Sequence, residues 1–169
     1  DRRRRRAAGI PRAVRFQPKW EIALGQIDAL VADDLPRAPV VADAGYGVVT
    51  KFRDGLTARG FSYVVGVRAD TSVWPPGRGP ILPTGRSRGG RPQTRLQRDA
   101  RHRPVAVREL ARTLDARAWQ LVRWREGTRG TMVSRFAAVR VRPAHRDGTR
   151  SDPRPEEWLL IEWPKSEAE

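Results

Sequence analysis

The stretch Pro39-Val40-Val41-Ala42-Asp43-Ala44-Gly45-Tyr46-Gly47 decides how the rest of the chain is interpreted. Its short apolar run, closed by turn-forming residues, predicts a buried strand that ends at Asp43. Gly45 and Gly47 let the backbone turn sharply after the carboxylate. Because ligands of open α/β sheets bind at the carboxyl ends of the strands, Asp43 is a candidate catalytic or metal-binding residue. A helix cap or a solvated turn explains the same Asp equally well.

Helical and strand patterns alternate on both sides of this stretch. Apolar residues recur at spacings of three and four within residues 17–33 and again within 48–60, which predicts two amphipathic helices. The run 61–67 is rich in β-branched and aromatic residues and predicts a second buried strand. Helix, strand, helix and strand with short loops imply parallel strands joined by right-handed crossovers. Residues 17–67 are therefore interpreted as about half of an α/β domain.

The pattern changes after residue 74. Residues 75–103 contain many Pro, Gly and Arg residues, and this composition predicts a linker or a mobile loop. A short helical pattern follows at 104–114. A period of two then predicts three strands of a small antiparallel sheet, at residues 118–125, 133–142 and 158–163.

The sequence thus divides into five segments. The five consecutive Arg residues near the start predict a solvated, disordered tail, because blocks of like charge repel one another. We expect a basic N-terminal tail, an α/β core, a Pro/Gly/Arg-rich linker or loop, a β-rich domain and a short C-terminal tail, at residues 1–16, 17–74, 75–103, 104–165 and 166–169.

The net charge of +15 points first to nucleic acid and second to an anionic membrane surface as a partner. The excess of positive charge is concentrated in residues 1–16 and 75–112, which fits either a track that guides nucleic acid or disordered flanks. No apolar run is long enough to predict a membrane-spanning helix, and no signal peptide is recognisable. The absence of Cys excludes disulfides, thiolate metal sites and a Cys nucleophile. We expect a cytoplasmic protein.

The turn between the first two strands of the expected antiparallel sheet carries candidate DNA-binding residues. Arg123, Arg125 and Arg129 offer positive charges for phosphates, although a solvated surface explains them equally well. Trp124 offers a ring on which an unpaired base could stack, whereas strand alternation favours core packing for most of the neighbouring Trp residues. His102 and His145 are separate and lie in Arg-rich loops, which favours a loop position over a metal or general-base role.

Seven blocks of sequence also follow one another at residues 19–24, 40–47, 52–53, 63–67, 124–128, 135–140 and 157–163. They begin with Lys-Trp-Glu-Ile-Ala-Leu and Val-Val-Ala-Asp-Ala-Gly-Tyr-Gly and end with Glu-Trp-Leu-Leu-Ile-Glu-Trp. Together they resemble the DDE transposases of bacterial insertion sequences, and among these the cut-and-paste group of DDE superfamily endonucleases.

This resemblance implies a partial RNase H-like catalytic domain interrupted by a small antiparallel β insertion domain. It implies that acidic residues on separate elements hold two divalent cations, Mg²⁺ or Mn²⁺, for DNA strand cleavage and strand transfer. Asp43 matches the second of the three acids. The implied partners are DNA, at transposon ends and at the target, and further copies of the chain in a synaptic complex. The resemblance implies a bacterial cytoplasmic protein that associates with the nucleoid and not with a membrane.

The sequence departs from the family pattern at the other two acids. We expect the first catalytic Asp to lie before Asp1 and the catalytic Glu after Glu169, so the chain is interpreted as a fragment that is inactive alone. The alternative is a non-catalytic, Arg-rich DNA-binding remnant or accessory protein. The two hypotheses differ in whether Asp43 meets its partner carboxylates.

Overall fold

The computed structural model describes residues 2–85, 92–127 and 130–164, and the chain forms two compact units. The first unit is Asp1–Val67 and the second is Arg68–Glu169. The first contains helices and a parallel strand pair, and the second is built mainly on an antiparallel sheet. The mixed α/β class with an antiparallel sheet, predicted from the sequence, is therefore confirmed. No helix within the described ranges is long and apolar enough to cross a membrane.

The first unit packs two helices against a short pair of parallel strands. Its elements are α1 (Arg2–Ala7), α2 (Lys19–Ala32), β1 (Val40–Ala42), α3 (Ala44–Gly47), α4 (Thr50–Ala58) and β2 (Tyr63–Val65). Strands β1 and β2 pair in parallel with Val41 opposite Val64, as the alternation of helices and strands predicts. Leu24 from α2 and Phe52 and Leu56 from α4 form the buried core between the helices and the strands. This packing holds the end of β1 beside the end of β2.

Two features of the first unit differ from the sequence-based expectations. The arginine run forms α1 instead of a disordered tail, and the Arg5 guanidinium donates hydrogen bonds to the carbonyls of Pro11 and Val14, which fold the chain back on the helix. The helix predicted over residues 48–60 is shorter, and a separate short helix, α3, precedes it directly after Asp43. Val49 has an extended conformation and separates the two helices.

The second unit is organised around one long strand. Its elements are β3 (Ser72–Trp74), β4 (Val105–Ala106), α5 (Val107–Thr113), β5 (Gln120–Gly127), β6 (Gly130–Pro143) and β7 (Glu157–Pro164). The strand order is β4-β3-β6-β5, and β7 also pairs with β6. All of these pairings are antiparallel. The three strands predicted from a period of two are confirmed as β5, β6 and β7.

One face of this sheet is covered by α5. Val107 and Leu110 of the helix pack against Val141 of β6 and Ile161 of β7. Trp119 and Trp163 meet edge to face, with ring centroids 5.7 Å apart, on the margin of the same core. Core packing is thus confirmed for these two Trp residues.

The other face of the sheet is open, and it carries Trp158. This residue pairs with Arg140, alternates with the inward-facing Leu159, and is 70% exposed. The Arg140 guanidinium lies 5.2 Å from the Trp158 ring centroid. The expectation of core packing is wrong for Trp158, because its register puts it on the face opposite α5.

The residues that follow β3 and those that precede β4 have a defined geometry. Val73 and Trp74 are buried in the sheet of the second unit, a three-residue strand that the sequence pattern did not reveal. Ile81 and Gln97 form an isolated antiparallel bridge, and Leu96 is buried. Residues 75–81 and 97–102 are thereby held in place relative to each other.

Candidate functional site

Asp43 follows β1 directly and is the N-cap residue of α3. Its Oδ1 accepts a hydrogen bond from the Gly45 N–H at 2.9 Å, and its main-chain carbonyl accepts one from the Gly47 N–H at 2.9 Å. The side chain is exposed, and Oδ2 makes no hydrogen bond to a described residue. The cap that the sequence offered as an alternative is therefore real, and it occupies only one of the two carboxylate oxygens.

The turn after Asp43 lies in contact with the end of β2. The Gly66 N–H donates to the Ala42 carbonyl at 2.9 Å. A Cβ atom built on Gly47 would lie 1.8 Å from the Gly66 carbonyl oxygen, which no side chain can tolerate. Gly47 is thus required by a close approach of two backbones, and this approach fixes where Asp43 stands at the edge of the strand pair.

Arg53 of α4 holds this turn in place through hydrogen bonds. It is 7% exposed, and its guanidinium donates hydrogen bonds to the Gly47 carbonyl and, at 3.4 Å, to Thr50 Oγ1. A buried cation is stable only when its N–H groups are satisfied, so these contacts tie α4 to the turn that carries Asp43. Arg53 belonged only to one block of the resemblance, because a charge next to an apolar residue is ordinary in an amphipathic helix and no local signal marks this one as buried.

The described residues do not fit the two-cation centre that the resemblance implies. Such a centre needs several carboxylates close together. Within residues 2–85, 92–127 and 130–164, no group of three or more His, Cys, Asp or Glu side chains could hold a metal ion. Asp28 is occupied by Arg59 at 2.6 Å, and Glu162 accepts a hydrogen bond from Ser134 Oγ at 2.7 Å. Asp43 is therefore not part of a three-ligand cluster among the described residues.

The candidate DNA-contacting arginines lie on β5, at the end of the strand order. Arg123 and Arg125 are exposed, and neither forms an ion pair with a described acid. A β-bulge lies between them, so that Arg123 is opposite Val133 whereas Arg125 is opposite the adjacent Met132. Because cross-strand partners share a face and Val133 and Met132 alternate, this register places the two arginines on opposite faces of the sheet. The Trp124 side chain and Arg129 lie outside the described residues.

A comparison with protein-family models matches residues 1–131 to the DDE superfamily endonucleases. The match covers more than half of the chain, and the chain belongs to this family. Comparisons with curated proteins and with solved structures gave no significant match. Membership implies an RNase H-like fold and a DNA substrate, and enzymes of the family generally use divalent metals. The match includes the segment between β3 and β4 and ends before the blocks at 135–140 and 157–163.

Proposed function

We propose that this chain is the central, DNA-binding part of a DDE transposase whose intact form cleaves DNA and transfers the strands of a bacterial insertion sequence. The observation that carries the proposal is Asp43 at the carboxyl end of β1, beside a parallel β2, in a chain of this family. In this proposal residues 17–74 form part of the RNase H-like core, and residues 104–165 form the insertion domain. The protein acts at the bacterial nucleoid, and copies associate when two transposon ends are paired.

Asp43 is the residue that we assign to the catalytic and metal-binding set of the intact site. Its support is chemical as well as positional, since a carboxylate oxygen is the kind of ligand that Mg²⁺ and Mn²⁺ prefer. The side chain is exposed, and Oδ2 is not occupied by the cap. No group of three acidic side chains lies together among the described residues, so they do not complete a two-cation centre.

Arg123 and Arg125 are proposed as phosphate contacts, together with Trp124 and Arg129 as DNA-binding residues. The two described side chains are exposed on one strand and are free of ion pairs with described acids. The net charge of +15 favours attraction of a polyanion over long distances. Because the bulge directs them to opposite faces, the two arginines would contact different phosphates.

The salt dependence of DNA binding tests these contacts. We expect the wild-type chain to bind labelled duplex DNA with an affinity that falls steeply as salt rises, measured by fluorescence anisotropy. Each phosphate contact contributes about 0.9 to the slope of log K against log salt, so Arg123→Ala/Arg125→Ala should lower the slope by about 2. Arg112→Ala, an exposed arginine on α5, is the matched control. Equal slopes for the double variant and the control would contradict the assignment.

A second candidate function is a non-catalytic DNA-binding remnant or accessory protein. The lack of a three-ligand acidic cluster among the described residues favours it. The DNA that flanks the reading frame separates the two candidates. An upstream strand that ends in Asp, a downstream helix that carries Glu, and inverted repeats beyond them would support the transposase. Frameshifts or stop codons on both sides would support the remnant.

A further inference from the structure

A cavity of about 910 Å³ lies in the second unit, between the residues that follow β3 and those that precede β4. One wall contains Gly77, Arg78 and Ile81, and the other contains Ala100, Arg101 and His102. The cavity is distinct from Asp43 and from the arginines of β5. Two of the lining side chains, Arg78 and Arg101, carry guanidinium groups, so the cavity favours an anion.

The first wall is a tight turn. The Arg78 N–H donates to the Pro75 carbonyl at 3.0 Å, and Gly77 has a φ of +70°. Pro76 followed by a glycine with positive φ is the residue pair that a type II turn favours, since Pro presets the first central position and Gly tolerates the second. The hydrogen bond of the turn fixes the position of the Arg78 main chain relative to Pro75.

The second wall is a turn organised by Asp99. Asp99 Oδ1 accepts hydrogen bonds from the main-chain N–H groups of Arg101 at 2.8 Å and His102 at 2.7 Å. The same oxygen lies 2.8 Å from His102 Nδ1, and these hydrogen bonds from His102 lower the pKa of Asp99 below its ordinary 3.8. With Nδ1–H donated to the carboxylate, Nε2 is an acceptor, which suits an amine or hydroxyl of a ligand rather than its phosphate.

The two walls are joined at one end by main-chain hydrogen bonds. Ile81 and Gln97 exchange N–H···O bonds of 2.9 and 3.0 Å. Arg98, next to this bridge, lies 5.6 Å from the Trp74 ring centroid and donates to the Ala144 carbonyl at 2.6 Å. The walls therefore have their positions before any ligand arrives, which reduces the entropy lost on binding.

We propose that Arg78 and Arg101 form a phosphate-binding site, beside the Nε2 acceptor of His102, that takes a single nucleotide. Guanidinium groups match phosphate oxygens in a bidentate geometry, and neither Arg78 nor Arg101 is paired with an acid among the described residues. The cavity has the size of a pocket for a small organic ligand, which a bare phosphate would fill only in part. The phosphate belongs either to one unpaired nucleotide of a DNA strand or to a free mononucleotide.

This site is independent of the proposed function, because its argument uses only the shape and charge of the cavity. NMR gives a direct test, since the sequence contains only two histidines, His102 and His145. A ¹H–¹³C spectrum therefore shows two Cε1–H signals, and His102→Gln identifies the first. Titration with deoxyadenosine 5′-monophosphate should shift the His102 signal in a saturable manner and leave the His145 signal in place.

Removal of the arginines provides the second measurement. The Kd for the mononucleotide should rise about tenfold for each arginine removed in Arg78→Ala and Arg101→Ala, because each loses a charge-assisted hydrogen bond. Arg112→Ala, outside the cavity, should keep the wild-type Kd. An unmoved His102 signal, or the same Kd in the arginine variants and the control, would overturn the proposal.

The source of the phosphate is decided by competition. If a 5′-phosphorylated tetranucleotide shifts the His102 signal at lower concentration than the mononucleotide, the site takes a DNA strand. If the mononucleotide binds as tightly or more tightly, the site takes a free nucleotide. Both results support the phosphate site. The His102 signal could fail to shift while duplex binding still depends on Arg123 and Arg125. That result would refute this site and leave the proposed function unaffected.

Discussion

Gly47 is the residue on which the position of Asp43 depends most directly. Its Cα stands so close to the Gly66 carbonyl that an added Cβ would overlap the oxygen. We expect Gly47→Ala to lower the free energy of unfolding by about 3 kcal/mol, because two backbones must move apart. Urea denaturation followed by circular dichroism measures this change.

Gly25→Ala is the matched control for that substitution. Gly25 lies inside α2, is exposed, and has no atom within 4 Å of an added Cβ. Alanine should stabilise the helix by about 0.5–1 kcal/mol, since it loses less backbone entropy than glycine. Equal effects of the two substitutions would show that the close approach to Gly66 does not exist.

Asp147 is the most deeply buried charged residue among those described, at 1% exposure. Its Oδ2 accepts hydrogen bonds from Trp74 Nε1 at 2.6 Å and from the Arg98 guanidinium at 3.3 Å. Asp147→Ala should cost about 2–3 kcal/mol of unfolding free energy, because it leaves a buried indole N–H without an acceptor. In the same denaturation experiment the exposed Asp152→Ala should have no comparable effect, and a stable Asp147→Ala would refute the role of this contact.

These residues show what local sequence can reveal. Asp43 and the glycines after it form a short motif whose strand, turn and cap all lie within nine positions, so their geometry was predictable. Asp147 and Trp74 are 73 positions apart, and nothing near either residue in the sequence indicates the other. Buried polar partners that are distant in sequence become visible only after folding.

At the level of elements, α2 and α4 are joined by a salt bridge between Asp28 and Arg59. Arg59 Nε and one terminal nitrogen donate to the two carboxylate oxygens at 2.6 and 2.7 Å. These hydrogen bonds from Arg59 lower the pKa of Asp28 below its ordinary 3.8. Both side chains are partly exposed, so the pair orients the helices more than it stabilises them.

The pH dependence follows from the direction of this shift. Because the pKa of Asp28 is lower in the folded state, its contribution to stability is fully present above pH 3.8 and is lost as the pH falls through the lower, folded value. A ¹³C titration of the Asp28 carboxyl should give a midpoint below 3.8, and Arg59→Gln should raise it. A midpoint that is the same in both proteins would contradict the pairing.

Elements with a clear period were predictable from the sequence, and very short ones were not. The strands β5, β6 and β7 alternate over eight or more residues, which is enough for a period of two to stand out. β3 has three residues and β4 has two, so neither carries a recognisable pattern. β3 forms a strand because it pairs with β6 and β4, and β4 forms one because it pairs with β3. These partners are distant in sequence and come together only in the folded chain.

For the whole molecule, the distribution of charge is as informative as the fold. The arginine-rich stretches at residues 2–6 and 75–103 contain local structure, namely α1 in the first and two turns joined by a bridge in the second. Composition alone predicted a tail and a linker, because it records repulsion and turn formation but not the specific carbonyls and carboxylates that hold arginines in place.

We propose that this chain of the DDE superfamily endonucleases binds DNA and that Asp43 is one carboxylate of an acidic set which the described residues do not complete. The most direct test is a nicking assay on supercoiled plasmid DNA with the purified 169-residue chain, Mg²⁺ or Mn²⁺, and Asp43→Asn as the comparison. We predict salt-sensitive DNA binding by both proteins and nicking by neither. Metal-dependent nicking by the wild-type chain that disappears in Asp43→Asn would contradict the account.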